Sequence, residues 1–350
     1  MPEISESQLR KEIESDALAG LYVLYGEEKY LVALWAGRLA QKAAGNAFRD
    51  FNFQQFGGDA SPDAVGDAVE ALPFMTERKC VVVRDLTLDG RTPAELKKLA
   101  QLISETPDST VLVLQFASSS PAFKKDKKWK DLYALCTQHG KCVAFPRRKP
   151  ADLQKLLIST ASKRGCVLDR TGAQRIVSYC GDNLETLLNE LEKVCAFTGQ
   201  GPISLETIDR LVTRNLEARV YDLSKHLLAG RYPKAYETLD LLLAQNEEPI
   251  NILAVLSGTY LDLYRVRCAM QSGESAMEPA NHFDTYKRRE FRLRNAENNV
   301  RHLSTQQLRD SLEILLETDL ALKGSRTAPR ILLEKALAKL LVIASGEVDA

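Results

Sequence analysis

The sequence predicts an α/β N-terminal domain on a five-stranded parallel sheet, followed by two all-α domains. Three observations carry this reading. Short, continuous apolar runs recur through the first 146 residues with helical stretches between them. Unbroken rather than alternating runs suit strands covered on both faces, as in a parallel sheet. The run Arg147-Arg148-Lys149-Pro150 then forms a connector, and helical periodicity prevails from there to the end of the chain.

Leu21-Tyr22-Val23-Leu24-Tyr25, closed by Gly26, reads as the first strand. A helical stretch from Glu28 to about Ala44 follows, with Leu31, Leu34, Trp35, Arg38 and Leu39 at helical spacing. Phe51 to Phe56, closed by Gly57-Gly58, reads as the second strand. Ser61-Pro62 offers an N-cap and a proline for the first helical turn. Ala64, Val65, Ala68, Val69 and Leu72 give that helix one apolar face. Val81-Val82-Val83, Val111 to Leu114 and Cys142 to Phe145 supply three more strands, and strands interleaved with helices indicate a doubly wound domain.

Residues 151–213 contain four helical stretches, the third opening at Gly181-Asp182 with Asp182 as its cap. Longer helices follow from about 214: Pro249 to about Met270, Ser304 to Lys323, and Pro329 to Ala344. Ser304-Thr305-Gln306-Gln307 has the form of a capping box, and Gly324 is placed to end one helix before Pro329 starts the next. The expected organisation is 1–146, 147–213 and 214–350.

A chain of 350 residues exceeds what one core usually organises. Apolar residues form 45% of it and charged residues 27%, as in ordinary globular proteins. Lys plus Arg and Asp plus Glu both number 47. This balance argues against an autonomous DNA binder, which normally carries excess positive charge. No apolar run approaches the roughly 20 residues of a membrane span, and the polar N-terminus lacks a signal-peptide pattern. A cytoplasmic location is the expectation. The seven cysteines are spread through apolar stretches without a paired framework and read as small core residues.

The turn after the first strand decides the chemistry. A phosphate-binding loop, G-x-x-x-x-G-K-[ST], surrounds phosphates with backbone N–H groups and adds a Lys and a magnesium-binding hydroxyl. Here the turn reads Gly26-Glu27-Glu28-Lys29-Tyr30-Leu31, with one glycine, no Lys-Ser/Thr pair and two carboxylates. Like charges about 4 Å apart repel by roughly 4 kcal/mol at an effective dielectric near 20. A bound triphosphate would be expelled. The two glutamates also fit a plainer role, since acids favour any helix N-terminus. Val81-Val82-Val83-Arg84-Asp85 stands where a second nucleotide element would place paired acids, and G-x-G-x-x-G is absent. No cofactor and no catalytic residue is expected.

Several runs resemble one family. Tyr25-Gly26-Glu27-Glu28-Lys29-Tyr30-Leu31 is similar to the first-strand turn of clamp-loader delta subunits of bacterial DNA polymerase III, a Gly-acid-Glu-x-x-Leu pattern. Leu72 to Val83 resembles that family's helix tip and following strand. Gly181-Asp182-Asn183-Leu184, continuing to Asn189-Glu190-Leu191-Glu192-Lys193, resembles its G-x-x-L…N-E-L-E-K signature. Asp319-Leu320-Ala321-Leu322-Lys323 and Leu333-Glu334 resemble its D-x-x-x-K…L-E pattern. The order of all segments is kept over nearly the whole chain.

The resemblance implies an AAA+-like module with a degenerate phosphate loop, a lid-like helical domain and a helical collar that joins a hetero-oligomeric ring. It implies a non-catalytic subunit of the polymerase holoenzyme that binds and opens the sliding clamp. Its partners would be the clamp, the motor and delta-prime subunits, and primer-template DNA in the assembled loader. The family's clamp-gripping pair maps to Phe74-Met75, with Leu72 and Pro73 shaping the turn. Phe-Met departs from the commoner Leu-Phe pair. The alternative from the residues alone is that Phe74 and Met75 pack against the sheet.

Basic clusters are candidate contacts to DNA or to another subunit. Lys124, Lys125, Lys127, Lys128 and Lys130 surround Trp129. Arg147, Arg148 and Lys149 sit at the connector. Lys287, Arg288, Arg289, Arg292 and Arg294 are placed on a helix with Tyr286 and Phe291. Their plainer reading is a solvated face. Cys136, His139 and Cys142 do not complete a tetrahedral zinc site, and the four histidines assemble no catalytic arrangement. The competing readings are a nucleotide-binding AAA+ ATPase motor, and the delta-prime subunit. The latter usually carries a cysteine-bound zinc module and a Ser-Arg-Cys motif, and neither occurs here.

Overall fold

The computed structural model describes residues 3–46, 48–123, 125–287, 289–301 and 303–345. It divides into two compact units, one ending at Arg148 and the other beginning at Lys149.

The first unit runs α1 (Glu6–Glu14), β1 (Leu21–Gly26), α2 (Lys29–Ala44), α3 (Arg49–Asn52), β2 (Phe53–Gly57), α4 (Pro62–Glu70), β3 (Lys79–Arg84), α5 (Pro93–Ser104), β4 (Thr110–Gln115), α6 (Lys127–His139) and β5 (Lys141–Phe145). All five strands are parallel, in the order β2-β3-β4-β1-β5. Residues of β1, β3 and β4 alternate between two buried faces, which is why their runs are continuously apolar. Leu21, Val23, Val81, Val83, Leu112 and Leu114 pack with Val65 of α4, Leu99 of α5 and Leu132 of α6. On the opposite face α2 buries Leu31, Val32, Trp35 and Leu39. The five-stranded parallel sheet expected from the sequence is present.

Ser61 caps α4 by accepting the Ala64 N–H at 3.2 Å, with Pro62 in the first turn. The buried face of α4 is Pro62, Val65, Ala68 and Val69; Ala64 is exposed, and Leu72 lies beyond the helix rather than on its apolar face. The second strand begins at Phe53, not at Phe51. Phe48 takes a left-handed conformation, φ 56°, and its carbonyl accepts from the N–H groups of Phe51 and Asn52. Residues 49–52 thereby close a helical turn.

The second unit contains α7 (Pro150–Lys163), β6 (Cys166–Val167), α8 (Arg170–Cys180), α9 (Leu184–Thr198), β7 (Gly201–Pro202) and α10 (Leu205–Leu211). It continues with α11 (Leu216–Leu228), α12 (Tyr232–Ala244), α13 (Pro249–Gln271), α14 (Pro279–His282), a 3-10 turn at Asp284–Tyr286, α15 (Phe291–Val300), α16 (Thr305–Gly324) and α17 (Pro329–Ser345). The two-residue strands β6 and β7 pair in parallel, a feature the helical reading of this stretch missed. Asn183, not Asp182, caps α9, accepting the Thr186 N–H at 3.0 Å. The capping box at Ser304 is formed with Gln307. One apolar core runs from Val220 to Leu341, with Leu223, Leu256, Tyr260, Leu315 and Leu337 buried in it.

All seven cysteines are free, and six are buried. Burial pushes the Cys136 thiol up and the Cys142 thiol up to about 12, which suits core residues rather than thiolate ligands. Among the described residues no helix is long and apolar enough to cross a membrane.

Candidate functional site

Two places in the first unit carry the functional argument, and both lie at the ends of sheet strands. At the first, β1 ends in Gly26 with φ 144°, where a Cβ would lie 2.2 Å from the Phe145 carbonyl oxygen. Only glycine fits there. The Glu28 N–H then donates to the same Phe145 carbonyl at 3.0 Å, and α2 starts one residue later. The link from strand to helix is two residues, Glu27 and Glu28, too short to wrap a phosphate chain.

The neighbouring polar groups are also committed. Lys29 Nζ donates to the carbonyls of Phe116 and Ser119 and, at 3.3 Å, to the Ser120 hydroxyl. Burial lowers its pKa, and nearby Asp85 raises it. Asp85, the acid just past β3, accepts from the N–H groups of Ser118 and Ser119 at 2.8 Å each and from the Ser119 hydroxyl at 3.0 Å. Burial alone would push the Asp85 carboxyl up. The donors of Ser119 and Ser118 outweigh it and hold the carboxyl below its usual range. The lysine and the acid that could have served a nucleotide thus bond to the segment following β4.

The second place is the segment joining α4 to β3. Lys79 Nζ donates to the Ala68 carbonyl, and Thr110 Oγ1 donates to the Val69 carbonyl at 2.8 Å. These bonds satisfy carbonyls at the end of α4. The helix stops at Glu70, before Leu72, which Pro73 excludes from helical geometry. Leu72 is 86% exposed, Phe74 45% and Met75 76%. Met75 adopts φ 52°, in the left-handed region that L-residues rarely occupy. Packing of Phe74 and Met75 against the sheet, the alternative reading, is not what the structure holds.

The tip is held by α3. Asn52, 1% exposed, donates from Nδ2 to the Phe74 carbonyl at 2.9 Å and accepts the Phe74 N–H at 2.7 Å. Phe48 and Phe51 flank the Phe74 ring at centroid distances of 5.3 and 5.0 Å. Reading Phe51 as a strand residue concealed this pair. The signal available was the spacing of Phe48 and Phe51, one helical turn apart.

The basic candidates differ in their surroundings. Lys125, Lys127 and Lys128 are exposed at the start of α6, while Trp129 packs half-buried against Phe116 and Phe123. Lys124 and Arg288 lie outside the described residues. Arg289 is exposed and precedes α15 rather than lying on it, and Tyr286 belongs to the 3-10 turn. Arg292 is engaged within the fold: its Nε donates at 2.8 Å to Asp262, a buried carboxylate that also accepts from the Tyr286 hydroxyl at 2.7 Å. Burial pushes Asp262 up, and Arg292 opposes this. Arg292 serves the C-terminal core.

The comparisons with known proteins give the family. The family model for the DNA polymerase III delta subunit matches residues 22–139, and the model for the C-terminal domain of that subunit matches 217–340. The DNA polymerase III subunit delta of Bacillus subtilis is 26% identical over 340 residues, covering 95% of each chain. That of Escherichia coli is 22% identical, covering 90% of this chain and 89% of its own. The solved DNA clamp loader delta protein of Bacillus subtilis shares the fold, with a TM-score of 0.64 at 23% identity over 96% of this chain and 99% of that one. The class is therefore the subunits of DNA polymerase III, here an α/β unit on a five-stranded parallel sheet followed by helices. The chain belongs to the DNA polymerase III delta subunit family.

Proposed function

We propose that this chain binds and opens the sliding clamp for loading onto primed DNA, and that it neither binds nor hydrolyses ATP. The observation that carries the reading is the exposed, backbone-fixed apolar tip Leu72-Pro73-Phe74-Met75. A large hydrophobic pair held out from the fold offers about 1.5–3 kcal/mol per side chain once buried in a partner pocket. Met75 adds an adaptable thioether. Because Asn52 has already fixed the segment, little ordering entropy remains to be lost on docking.

The two-residue turn at Gly26 and the commitments of Lys29 and Asp85 support a role without nucleotide. On this reading the chain supplies a lever, and catalysis belongs to the complex. The motor and delta-prime subunits, together with primer-template DNA, are its partners in a hetero-oligomeric ring. The proposed parts are the α/β module to 146, a lid-like helical domain at 147–213 and a collar at 214–350. Lys125, Lys127, Lys128 and Arg289 remain proposed contacts to DNA or to a neighbouring subunit.

The test is a binding measurement between the purified full chain and the sliding clamp, with and without magnesium-ATP. Binding that ignores nucleotide, and is lost in the Phe74→Ala/Met75→Ala double variant with the fold intact, supports the reading. Clamp binding that is unchanged in that variant defeats it.

A further inference from the structure

We infer that residues 48–52 form a second half of the clamp-docking surface, with the exposed ring of Phe51 as a direct contact; the inference rests on the clamp reading of the Phe74 tip. Phe48 and Phe51 are 46% and 65% exposed, although each ring lies against Phe74. The Phe48–Phe74 pair is edge-on at 80°, whereas Phe51 lies tilted at 36°. Three aromatic rings contributed by two chain segments thus form one contiguous apolar patch, and the exposed Leu72 and Met75 are close neighbours of Phe74 in the chain. Isolated surface apolar residues need no explanation, but a contiguous patch of large ones marks an interaction site.

The backbone agrees. Phe48 at φ 56° and Met75 at φ 52° hold left-handed conformations, one on each of the two segments. Such conformations cost free energy and persist where the surroundings fix them, commonly at binding sites. The fixing bonds here are those from Asn52 to Phe74, so the two segments present their rings as one body. A partner that takes up the Phe74 and Met75 side chains therefore meets Phe51 at its rim. On the clamp reading of the Phe74 tip, the direct contact of Phe48 and Phe51 with Phe74 makes the clamp the occupant.

The test measures the dissociation constant of the full chain for the sliding clamp, with size-exclusion chromatography of the chain alone. Phe51→Ala removes a mostly exposed ring and should leave thermal unfolding unchanged. It should weaken clamp binding about tenfold, the loss expected when one partly buried aromatic contact is removed. Phe51→Leu should retain part of the affinity. An unchanged constant for Phe51→Ala, with Phe74→Ala/Met75→Ala still weakened, overturns the second half alone and leaves the tip in place. Normal binding by the double variant removes the clamp reading itself, and this inference with it. Self-association abolished by Phe51→Ala at unchanged clamp affinity would assign the patch to a second copy and equally overturn the inference.

Discussion

The side chain of Asn52 satisfies both backbone polar groups of Phe74, donating to its carbonyl at 2.9 Å and accepting its N–H at 2.7 Å across 22 residues of sequence. A single buried carboxamide thus does for the tip what a paired strand would do elsewhere, and it leaves the Phe74 ring out of the core. Removing it by Asn52→Ala should lower folding stability by about 1–3 kcal/mol and weaken clamp binding more than stability alone explains. Chemical denaturation beside a clamp titration, performed where the variant is fully folded, checks both. Unaltered clamp affinity in the folded variant would show that the tip needs no such support.

Met75 separates contact from fold. Its left-handed φ of 52° costs an L-residue about 1 kcal/mol relative to glycine, roughly matched by the greater freedom glycine has in the unfolded chain. Met75→Gly should therefore keep or slightly raise the melting temperature while loosening clamp binding by about tenfold. A large loss of stability would mean that the thioether packs into the fold.

Asp85 predicts an acid dependence with a definite sign. Its carboxyl lies below the ordinary range in the folded chain, because the Ser119 and Ser118 donors outweigh burial. A depressed folded value gives stability that is fully present above the ordinary carboxyl value and is lost as pH falls through the folded one. Asp85→Asn, which tolerates the left-handed φ of 53° at this position, should flatten the acid limb of unfolding free energy against pH. Parallel limbs in the two proteins would remove Asp85 as a contributor.

Magnesium-ATP gives a ligand test that needs no partner. A ligand at 1,000 times its dissociation constant stabilises the folded state by about 4 kcal/mol. The closed Gly26 turn leads to the expectation of no shift in thermal unfolding with millimolar magnesium-ATP. An upward shift would show that the chain binds nucleotide and would overturn this expectation.

Arg292 is expected to behave as a core residue. Arg292→Ala strands the Asp262 carboxylate, a buried group left with the Tyr286 hydroxyl, and should cost roughly 3 kcal/mol. The double variant Asp262→Leu/Arg292→Met should recover much of that loss. A folded Arg292→Ala chain of unchanged stability would return this arginine to the pool of surface contacts.

Much of this molecule is legible without coordinates, because the signals are local. Unbroken apolar runs mark strands buried on two faces, Ser61-Pro62 and the Ser304 box mark helix starts, and the turn after Gly26 lacks the Lys-Ser/Thr pair of a phosphate-binding loop. Errors fell where hydrogen bonds and packing, rather than residue type and periodicity, decide. Phe51 looks like a strand residue until Phe48 closes a turn on it, and Leu72 completes a helical stripe until Pro73 and the bonds from Lys79 and Thr110 end the helix early. Arg292 reads as a surface charge until Asp262 lies beside it.

The sequence by itself determined the α/β-then-helical order, the absence of the phosphate-loop pattern after Gly26 and the apolar identity of residues 72–75. Each of these follows from residue type and spacing within one or two turns of chain. Only the tertiary structure decided that the tip stands outside the core, that two phenylalanines from α3 and its N-terminal edge join it, and that Lys29 and Asp85 are already occupied. Those outcomes depend on hydrogen bonds between segments far apart in sequence, and on which face of each element the packing leaves to solvent.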